Sequence, residues 1–103
     1  EPADLVWFTL SRARARVGDA RGALHALDAA IGADATREEY WCEKGRLVLE
    51  GGDPRRALRL FDDALARNAN FRPAWLYKGK ALEALSRPEE AARCFERANS
   101  RVG

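Results

Sequence analysis

Residues 41–64, WCEKGRLVLEGGDPRRALRLFDDA, decide the fold because their pattern recurs 34 positions later, at 75–98. The two copies align without a gap and are identical at Trp41/Trp75, Gly45/Gly79, Ala57/Ala91, Phe61/Phe95 and Ala64/Ala98, and also at Lys44/Lys78 and Pro54/Pro88. A weaker third copy precedes them, with Trp7, Gly18, Ala23, Leu27 and Ala30. A fixed period of this size is typical of stacked repeats. We therefore predict a lead-in at 1–3 and three repeats at 4–37, 38–71 and 72–103.

Composition excludes several classes of protein. The chain is 47% hydrophobic and 33% charged, which favours a folded, helix-rich domain over disorder. A net charge of +2 gives no footprint of nucleic-acid binding. No signal peptide is visible in the sequence, and no apolar run approaches the roughly 20 residues that span a bilayer. Without an initiator Met, and ending inside its third repeat, the chain is expected to be a fragment of a longer protein.

The two cysteines, Cys42 and Cys94, have no nearby partner in a CxxC motif. Free thiols are typical of a reducing compartment, so we expect a cytoplasmic location.

Apolar periodicity predicts an all-α chain. Helices are expected at 4–17, 20–31, 37–50 and 54–67, then from 72 and over 88–100, with breaks of three to five residues. Breaks this short require the two helices of each pair to be antiparallel. The first helix is indicated by apolar residues that recur at steps of three and four: Leu5, Val6, Trp7, Leu10, Ala13 and Val17.

Three helix starts carry capping signals. Thr36 followed by Glu39 has the spacing of a capping box. Asp53 before Pro54 is a typical N-cap and first helical residue. Ser86 is expected to cap the last helix.

The repeated residues have a structural interpretation. Gly45 and Gly79, with Ala57 and Ala91, are expected to let the two helices of a pair approach closely, while Phe61 and Phe95 fill the space between pairs. Ala64 and Ala98 let the next helix pack on top. The tryptophans, Trp7, Trp41 and Trp75, follow the same period, so we interpret them as packed between helices rather than as a ligand cage.

The patterns Trp41-x3-Gly45 … Ala57-x3-Phe61-x2-Ala64 and Trp75-x3-Gly79 … Ala91-x3-Phe95-x2-Ala98 resemble the tetratricopeptide repeat, a helix–turn–helix unit of 34 residues. The resemblance implies a right-handed α-solenoid of three antiparallel helix pairs. The first repeat departs from the family, with Ser11 in place of Gly and Arg14 in place of a large apolar or aromatic residue. Ala35 and Ala69 stand where the family has Pro.

In this family the first helix of each pair lines a concave face that binds peptides. The resemblance therefore implies a groove with an apolar row, Phe8, Cys42 and Leu76, beside a basic row, Arg12, Arg46 and Lys80. Arg16 adds charge one turn after Arg12, and Tyr77 adds an aromatic ring. This surface suits a peptide with apolar side chains and carboxylates. A solvated face is the alternative, because Glu43, Glu50 and Glu83 lie at ion-pair spacing from the second and third basic residues.

Some members of the family clamp a C-terminal carboxylate of a chaperone with Lys, Asn and Arg. At the corresponding positions this chain has Phe8, Arg12, Glu43, Pro73 and Tyr77. The match fails at nearly every position, which argues against that role.

No pattern in the sequence indicates catalysis. His25, the single histidine, falls on the polar side of a second helix, and no phosphate loop, HExxH motif or catalytic cofactor site is present. We therefore predict a non-catalytic interaction module that needs no cofactor and no metal.

Two other functions stay open. The chain is predicted to lack a capping helix after its last helix, which carries Ala91, Ala92, Cys94, Phe95 and Ala98. A spacer or self-association segment that forms a homodimer through this surface is the alternative. RNA binding is a third interpretation, disfavoured by the low net charge.

Overall fold

Six α-helices make up the computed structural model, which describes residues 2–100. They are α1 (Ala3–Arg16), α2 (Ala20–Ala33), α3 (Glu38–Glu50), α4 (Pro54–Arg67), α5 (Arg72–Ala84) and α6 (Pro88–Asn99). No strand occurs in this part of the chain. The prediction of an all-α solenoid of three antiparallel helix pairs is confirmed, with helix ends that differ from the predicted ones by at most two residues.

The core lies between the helices in three clusters rather than at one centre. The first joins α2 and α3 through Ala23, Leu27, Ala30, Tyr40 and Leu47. The second joins α3, α4 and α5, and the third lies between α5 and α6. Each cluster joins residues of neighbouring helices, as expected when repeats contact only their neighbours.

The glycine of the repeat lies against the phenylalanine of the facing helix. A Cβ atom added to Gly45 would lie 2.5 Å from a ring carbon of Phe61, and Gly79 is equally close to Phe95. In the first pair the equivalent residues are Ser11 and Leu27, both fully buried. Leucine is smaller than the phenylalanine of the other pairs, which leaves room for serine in place of glycine. The Ser11 Oγ donates to the carbonyl of Phe8 at 2.7 Å.

The turns inside the pairs require a left-handed backbone at one position. Gly18 and Gly52 have φ angles of 85° and 94°, and Ser86, at the next position of the period, has φ 60°. The prediction that Ser86 caps α6 was wrong, because the residue at the N-cap is Arg87 and it makes no side-chain capping bond. Asp53 does cap α4, accepting a hydrogen bond from the backbone N–H of Arg56 at 3.2 Å.

The predicted capping box at the start of α3 is also wrong. The N-cap is Arg37, without a side-chain capping bond. The Thr36 hydroxyl instead donates to the Asp34 carboxylate at 2.5 Å, and Asp34 also accepts from the Thr36 backbone N–H at 3.0 Å. These bonds hold the pKa of Asp34 below its usual value. The Thr36 hydroxyl is therefore bound to the Asp34 carboxylate, two residues earlier, instead of capping α3.

Most of the apolar residues that indicated α1 in the sequence are exposed. Leu5, Val6 and Val17 are 41%, 51% and 80% exposed, and Trp7 is 36% exposed. The buried residues of α1 are Asp4 and Ser11. The periodicity identified the helix correctly. Its apolar side is exposed because within residues 2–100 no helix precedes α1 to cover it.

Asp4 is buried because it joins the first two pairs. The Tyr40 hydroxyl donates to its carboxylate at 2.5 Å, and the Arg37 guanidinium lies 3.3 Å from the same oxygen. Burial and the hydrogen bond to Asp4 raise the pKa of Tyr40 to about 12. A buried carboxylate with two partners is satisfied, whereas an unpaired one destabilises a fold.

A second charged contact between pairs recurs with the period. Lys44 pairs with Asp28 at 2.6 Å, and Lys78 pairs with Asp62 at 2.7 Å. In both, a lysine of the first helix reaches an aspartate on the second helix of the preceding pair. The same side of α3 and of α5 is thus joined to the preceding pair by an ion pair.

Candidate functional site

The first helices of the three pairs meet around a cavity of about 210 Å³. Side chains from α1, α3 and α5 and from the loop before α5 line it: Phe8, Arg12, Glu39, Cys42, Glu43, Arg46, Phe71, Pro73 and Tyr77. Five of the eight predicted groove residues are thus brought together. An adjoining cavity of about 300 Å³ adds the sixth, Arg16, beside Arg12 and Arg46.

The remaining two predicted residues, Leu76 and Lys80, line neither cavity. Leu76 is 39% exposed. Lys80 is exposed, with its ammonium 5.3 Å from the ring centroid of Tyr77. The third repeat therefore contributes Tyr77, rather than Leu76 and Lys80, to the shared wall.

Aromatic packing holds the apolar wall in place. The Phe8 ring lies 4.8 Å from the ring of Tyr40, and the Tyr77 ring stacks at 6.0 Å on Phe61, which is fully buried. Contacts of this kind restrict side-chain rotation. Phe8 and Tyr77 consequently present fixed, half-buried edges to the cavity.

Cys42 forms part of the cavity wall and behaves as a small apolar residue. It is 5% exposed, and burial, with the neighbouring Glu43 carboxylate, raises the pKa of its thiol to about 12. Cys94 is also buried and free, and burial raises its pKa. At both positions burial favours the neutral thiol over the thiolate, which is the form that acts as a nucleophile.

The basic row is divided by its ion pairs. Arg46 donates to Glu43 through Nε at 3.0 Å and again through Nη2, and to Glu50 through Nη1 at 2.7 Å. The bond to Glu43 is the main cause of the raised pKa of Arg46. Two carboxylates therefore neutralise this guanidinium.

Arg12 and Arg16 differ from Arg46, since neither has an ion pair within residues 2–100, and both are exposed. The Arg12 guanidinium lies 5.9 Å from the Phe8 ring centroid, so it is placed where the apolar wall meets solvent. Uncompensated positive charge is thus carried by Arg12 and Arg16 in the first repeat and by Lys80 in the third, which has no ion pair with Glu83 or another carboxylate within residues 2–100.

The positions of the carboxylate clamp all line the 210 Å³ cavity. They are Phe8, Arg12, Glu43, Pro73 and Tyr77, which supply one cation, one carboxylate, two aromatic rings and a proline. This set presents an apolar surface with a single positive charge, where a clamp needs several converging donors.

Two wall residues, Glu39 and Phe71, were not predicted. Glu39 lies one turn before Glu43 on α3, a position that helix spacing alone could have indicated. Phe71 is the N-cap of α5 and lies in a loop, where periodicity gives no signal.

The tryptophans take part in a contact that the sequence also did not reveal. The Trp41 indole N–H donates to the Ala35 carbonyl at 2.9 Å, and Trp75 donates to Ala69 at 2.8 Å. Arg67 lies 4.2 Å above the Trp41 ring and donates to the same Ala35 carbonyl at 2.8 Å. Both alanines occupy the positions expected to be proline, and the indoles tie these loops to the following helix.

A larger cavity of about 600 Å³ lies between α5 and α6. Trp75, Leu82 and Cys94 form its apolar floor, and Lys78, Arg93 and Arg97 are among the charged residues around it. On α6, Ala91 and Cys94 are buried and Ala92 is exposed, while Phe95 and Ala98 are half-buried. The end of the stack is thus less apolar than its composition suggested.

Other chemistry has little support in the described part of the chain. His25 is exposed, as predicted. No group of three or more His, Cys, Asp or Glu side chains is arranged to hold a metal ion within residues 2–100. Among the helices described, none combines the length and the apolar character that crossing a membrane requires.

Comparison with known proteins gives one family. The model of the tetratricopeptide repeat matches residues 42–101. A search of curated protein sequences returns no significant match.

Solved structures give the same fold. The tetratricopeptide-repeat (TPR) domain of Arabidopsis OM64 is 25% identical, with a TM-score of 0.90 over 93% of this chain and 79% of that one. The first TPR of Spaghetti (RPAP3), bound to HSP90 peptide SRMEEVD, is 21% identical, with a TM-score of 0.91 over 93% and 78%. MamA is 20% identical, with a TM-score of 0.86 over 94% of this chain, which spans only 53% of the MamA chain.

Proposed function

Because the chain belongs to the tetratricopeptide repeat family, whose members include peptide-binding domains, we propose that it is a non-catalytic interaction module. Its ligand is a protein segment that places an apolar or aromatic side chain in the cavity between Phe8 and Tyr77. A carboxylate of the same segment pairs with Arg12 or Arg16.

The observation that carries this proposal is the unequal state of the three groove arginines. Arg46 is already bound by Glu43 and Glu50, whereas Arg12 and Arg16 have no ion pair in the described residues. A guanidinium with free donors binds a carboxylate in two parallel hydrogen bonds. An apolar wall beside such a group favours an amphipathic peptide over a purely acidic one.

A C-terminal carboxylate clamp is not part of the proposal. The relative bound to SRMEEVD shows that this fold holds an acidic, partly apolar peptide. In this chain, however, the clamp positions provide one cation, Arg12, and one opposing carboxylate, Glu43. We therefore propose an internal segment as the ligand, and the peptide SRMEEVD is the probe that separates the two cases.

A binding assay with charge-reversed variants tests the proposal. A fluorescent peptide array carrying acidic and aromatic residues at varied spacing is screened against the wild-type chain, Arg12→Glu and Arg16→Glu. A selected peptide is expected to bind about tenfold more weakly, or worse, to the variant of whichever arginine pairs with its carboxylate, since lost charge-assisted hydrogen bonds are worth roughly 1.5–3 kcal/mol. Arg55→Glu on the exposed start of α4 is the matched control.

The alternative functions predict different results. Binding of SRMEEVD that equals the array peptides contradicts the choice of an internal segment. Binding of single-stranded RNA that weakens steeply with salt, together with no peptide binding, would favour the RNA alternative. A spacer or a homodimer through α6 remains the alternative when no peptide binds and the chain associates with itself.

The location is also a proposal. Two buried free thiols suit a reducing compartment, and we propose the cytoplasm. Imaging of the tagged full-length protein tests this, and a secreted or membrane-bound pattern contradicts it.

A further inference from the structure

The outward side of α1 carries an apolar stripe formed by Val6, Leu10, Ala13 and Val17. Steps of four, three and four place these residues on one face of the helix and its following turn. The opposite face, which includes Asp4 and Ser11, is buried in the molecule. Of the five large hydrophobic residues that are exposed in residues 2–100, four lie in α1 or the turn after it.

The same stripe in the other first helices is an established interface. Tyr40 and Leu47 of α3, at the positions of Val6 and Ala13, pack with Ala23, Leu27 and Ala30 of α2. Ala74 and Ala81 of α5 pack in the same way with α4. The α1 stripe is therefore the half of an inter-repeat interface that lacks its partner within the described residues.

The partner surfaces of α2 and α4 share one pattern. They present Leu24, Leu27 and Ile31 in α2, and Leu58, Phe61 and Leu65 in α4, each set at i, i+3 and i+7. These residues belong to or pack against the clusters with α3 and α5. A helix with large apolar residues at this spacing is consequently the shape that fits such a stripe.

Charge distinguishes the α1 stripe from the other two. At the position of Leu10, α3 has Lys44 and α5 has Lys78. Lys44 pairs with Asp28 of α2, and Lys78 pairs with Asp62 of α4. Each aspartate lies at i+4 of the pattern on its helix. In α1 this position is Leu10, which is half-buried. An aspartate opposite Leu10 would lose water without gaining a cation, at a cost of about 1–3 kcal/mol.

We propose that the α1 stripe binds an amphipathic partner helix with Leu, Ile or Phe at i, i+3 and i+7 and an uncharged residue at i+4. This surface is on α1 alone and goes beyond the groove function. A second copy of the chain fits less well, because its α6 presents Ala92, Phe95 and Asn99 at these positions and Glu96 at i+4. That carboxylate would meet Leu10.

The chain provides its own probe. A labelled peptide of residues 53–68 contains α4 with its capping residues, and its Asp62→Leu version has the required uncharged i+4 residue. By fluorescence anisotropy, the wild-type chain is expected to bind the Asp62→Leu peptide roughly tenfold more tightly than the native peptide. Leu10→Lys gives α1 the lysine that α3 and α5 have at this position, so this variant should bind the native peptide more tightly than the Asp62→Leu peptide.

Two substitutions locate the site. Val6→Glu places a charge in the stripe near the start of α1, where the helix dipole favours it, and should abolish binding without unfolding the chain. Circular dichroism checks the fold. Ala92→Glu on α6 and Arg12→Glu in the groove should leave peptide binding unchanged, and the latter separates this surface from the proposed function.

Three results would overturn the proposal. One is equal binding of both peptides by the wild type and by Leu10→Lys. Another is undiminished binding by a folded Val6→Glu chain. The third is self-association of the chain alone that both Val6→Glu and Ala92→Glu abolish, because the occupant would then be a second copy.

Discussion

At the residue scale, the contact between Gly45 and Phe61 leaves no room for a methyl group. We expect Gly45→Ala to lower the free energy of unfolding by about 1–3 kcal/mol, because the Phe61 ring is fully buried and must leave its position. Urea denaturation followed by circular dichroism measures this change.

Gly32→Ala is the matched control, because a Cβ at Gly32 meets no atom within 4 Å in a helical position. It should leave stability unchanged or raise it by up to about 1 kcal/mol. Equal losses in both variants would contradict a steric cause.

The buried pair of Tyr40 and Asp4 makes stability depend on alkaline pH. The folded-state pKa of Tyr40 is about 12, above the ordinary 10, so the neutral phenol is stabilised by folding. This contribution is complete below pH 10 and is lost as pH rises from about 10 to 12. We expect the free energy of unfolding of the wild type to fall across this range.

Tyr40→Phe isolates that effect from the titration of lysines. At pH 8 the variant should be less stable by roughly 1–3 kcal/mol, because Asp4 keeps only Arg37 as a partner. Between pH 10 and 12 its stability should fall less steeply than that of the wild type. Parallel slopes in urea denaturation would show that Tyr40 does not cause the loss.

At the element scale, the turn between α5 and α6 contains a correctable strain. Ser86 has φ 60°, whereas Gly18 and Gly52 fill the equivalent positions. Since a non-glycine residue costs roughly 1–2 kcal/mol in this region, Ser86→Gly should raise the midpoint of thermal unfolding. Gly52→Ala should lower it, and a rise in both variants would contradict this explanation.

These turns also show what local sequence could predict about the helices. Asp53-Pro54 predicted the start of α4 correctly because the capping residue directly precedes the first residue of the helix. Thr36 misled because its hydroxyl bonds to Asp34, and the competition between two nearby acceptors depends on backbone angles that the pattern does not contain. The prediction that Ser86 caps α6 failed for another reason, because Ser86 occupies the left-handed turn position that the other repeats give to glycine.

The exposure of the apolar side of α1 has a different physical cause. Apolar periodicity predicts that a helix has two unlike sides, and it did so for Val6, Leu10, Ala13 and Val17. Whether such a side is covered depends on which helix lies next to it. The corresponding side of α3 is covered by α2, and that of α5 is covered by α4. No helix covers this side of α1 within the described residues.

At the scale of the whole molecule, the middle pair is supported from both sides. Five residues of α3 and four of α4 are buried, whereas α1 and α6 bury two each. Because each pair contacts only its neighbours, stability should fall towards the ends of the stack. Amide hydrogen exchange is expected to be slowest in α3 and α4 and fastest in α1 and α6. Uniform protection would instead indicate a single cooperative unit.

The groove was partly predictable at this scale. The resemblance to the tetratricopeptide repeat placed Phe8 and Cys42 in one row and Arg12 and Arg46 in the next, and the structure brings all four around one cavity. It could not show that Arg46 is bound by two carboxylates, or that Tyr77 rather than Leu76 completes the wall. Those outcomes depend on side-chain rotation and on the angle between successive pairs.

The loop contact of the tryptophans has an optical consequence. Each helix pair holds one indole, and the three indoles differ in surroundings: Trp41 lies under Arg67, Trp75 under Arg97, and Trp7 is 36% exposed. Chains that keep one tryptophan and replace the other two with phenylalanine would emit from a single level of the stack. Fluorescence of such chains would then record, pair by pair, the order in which the solenoid comes apart.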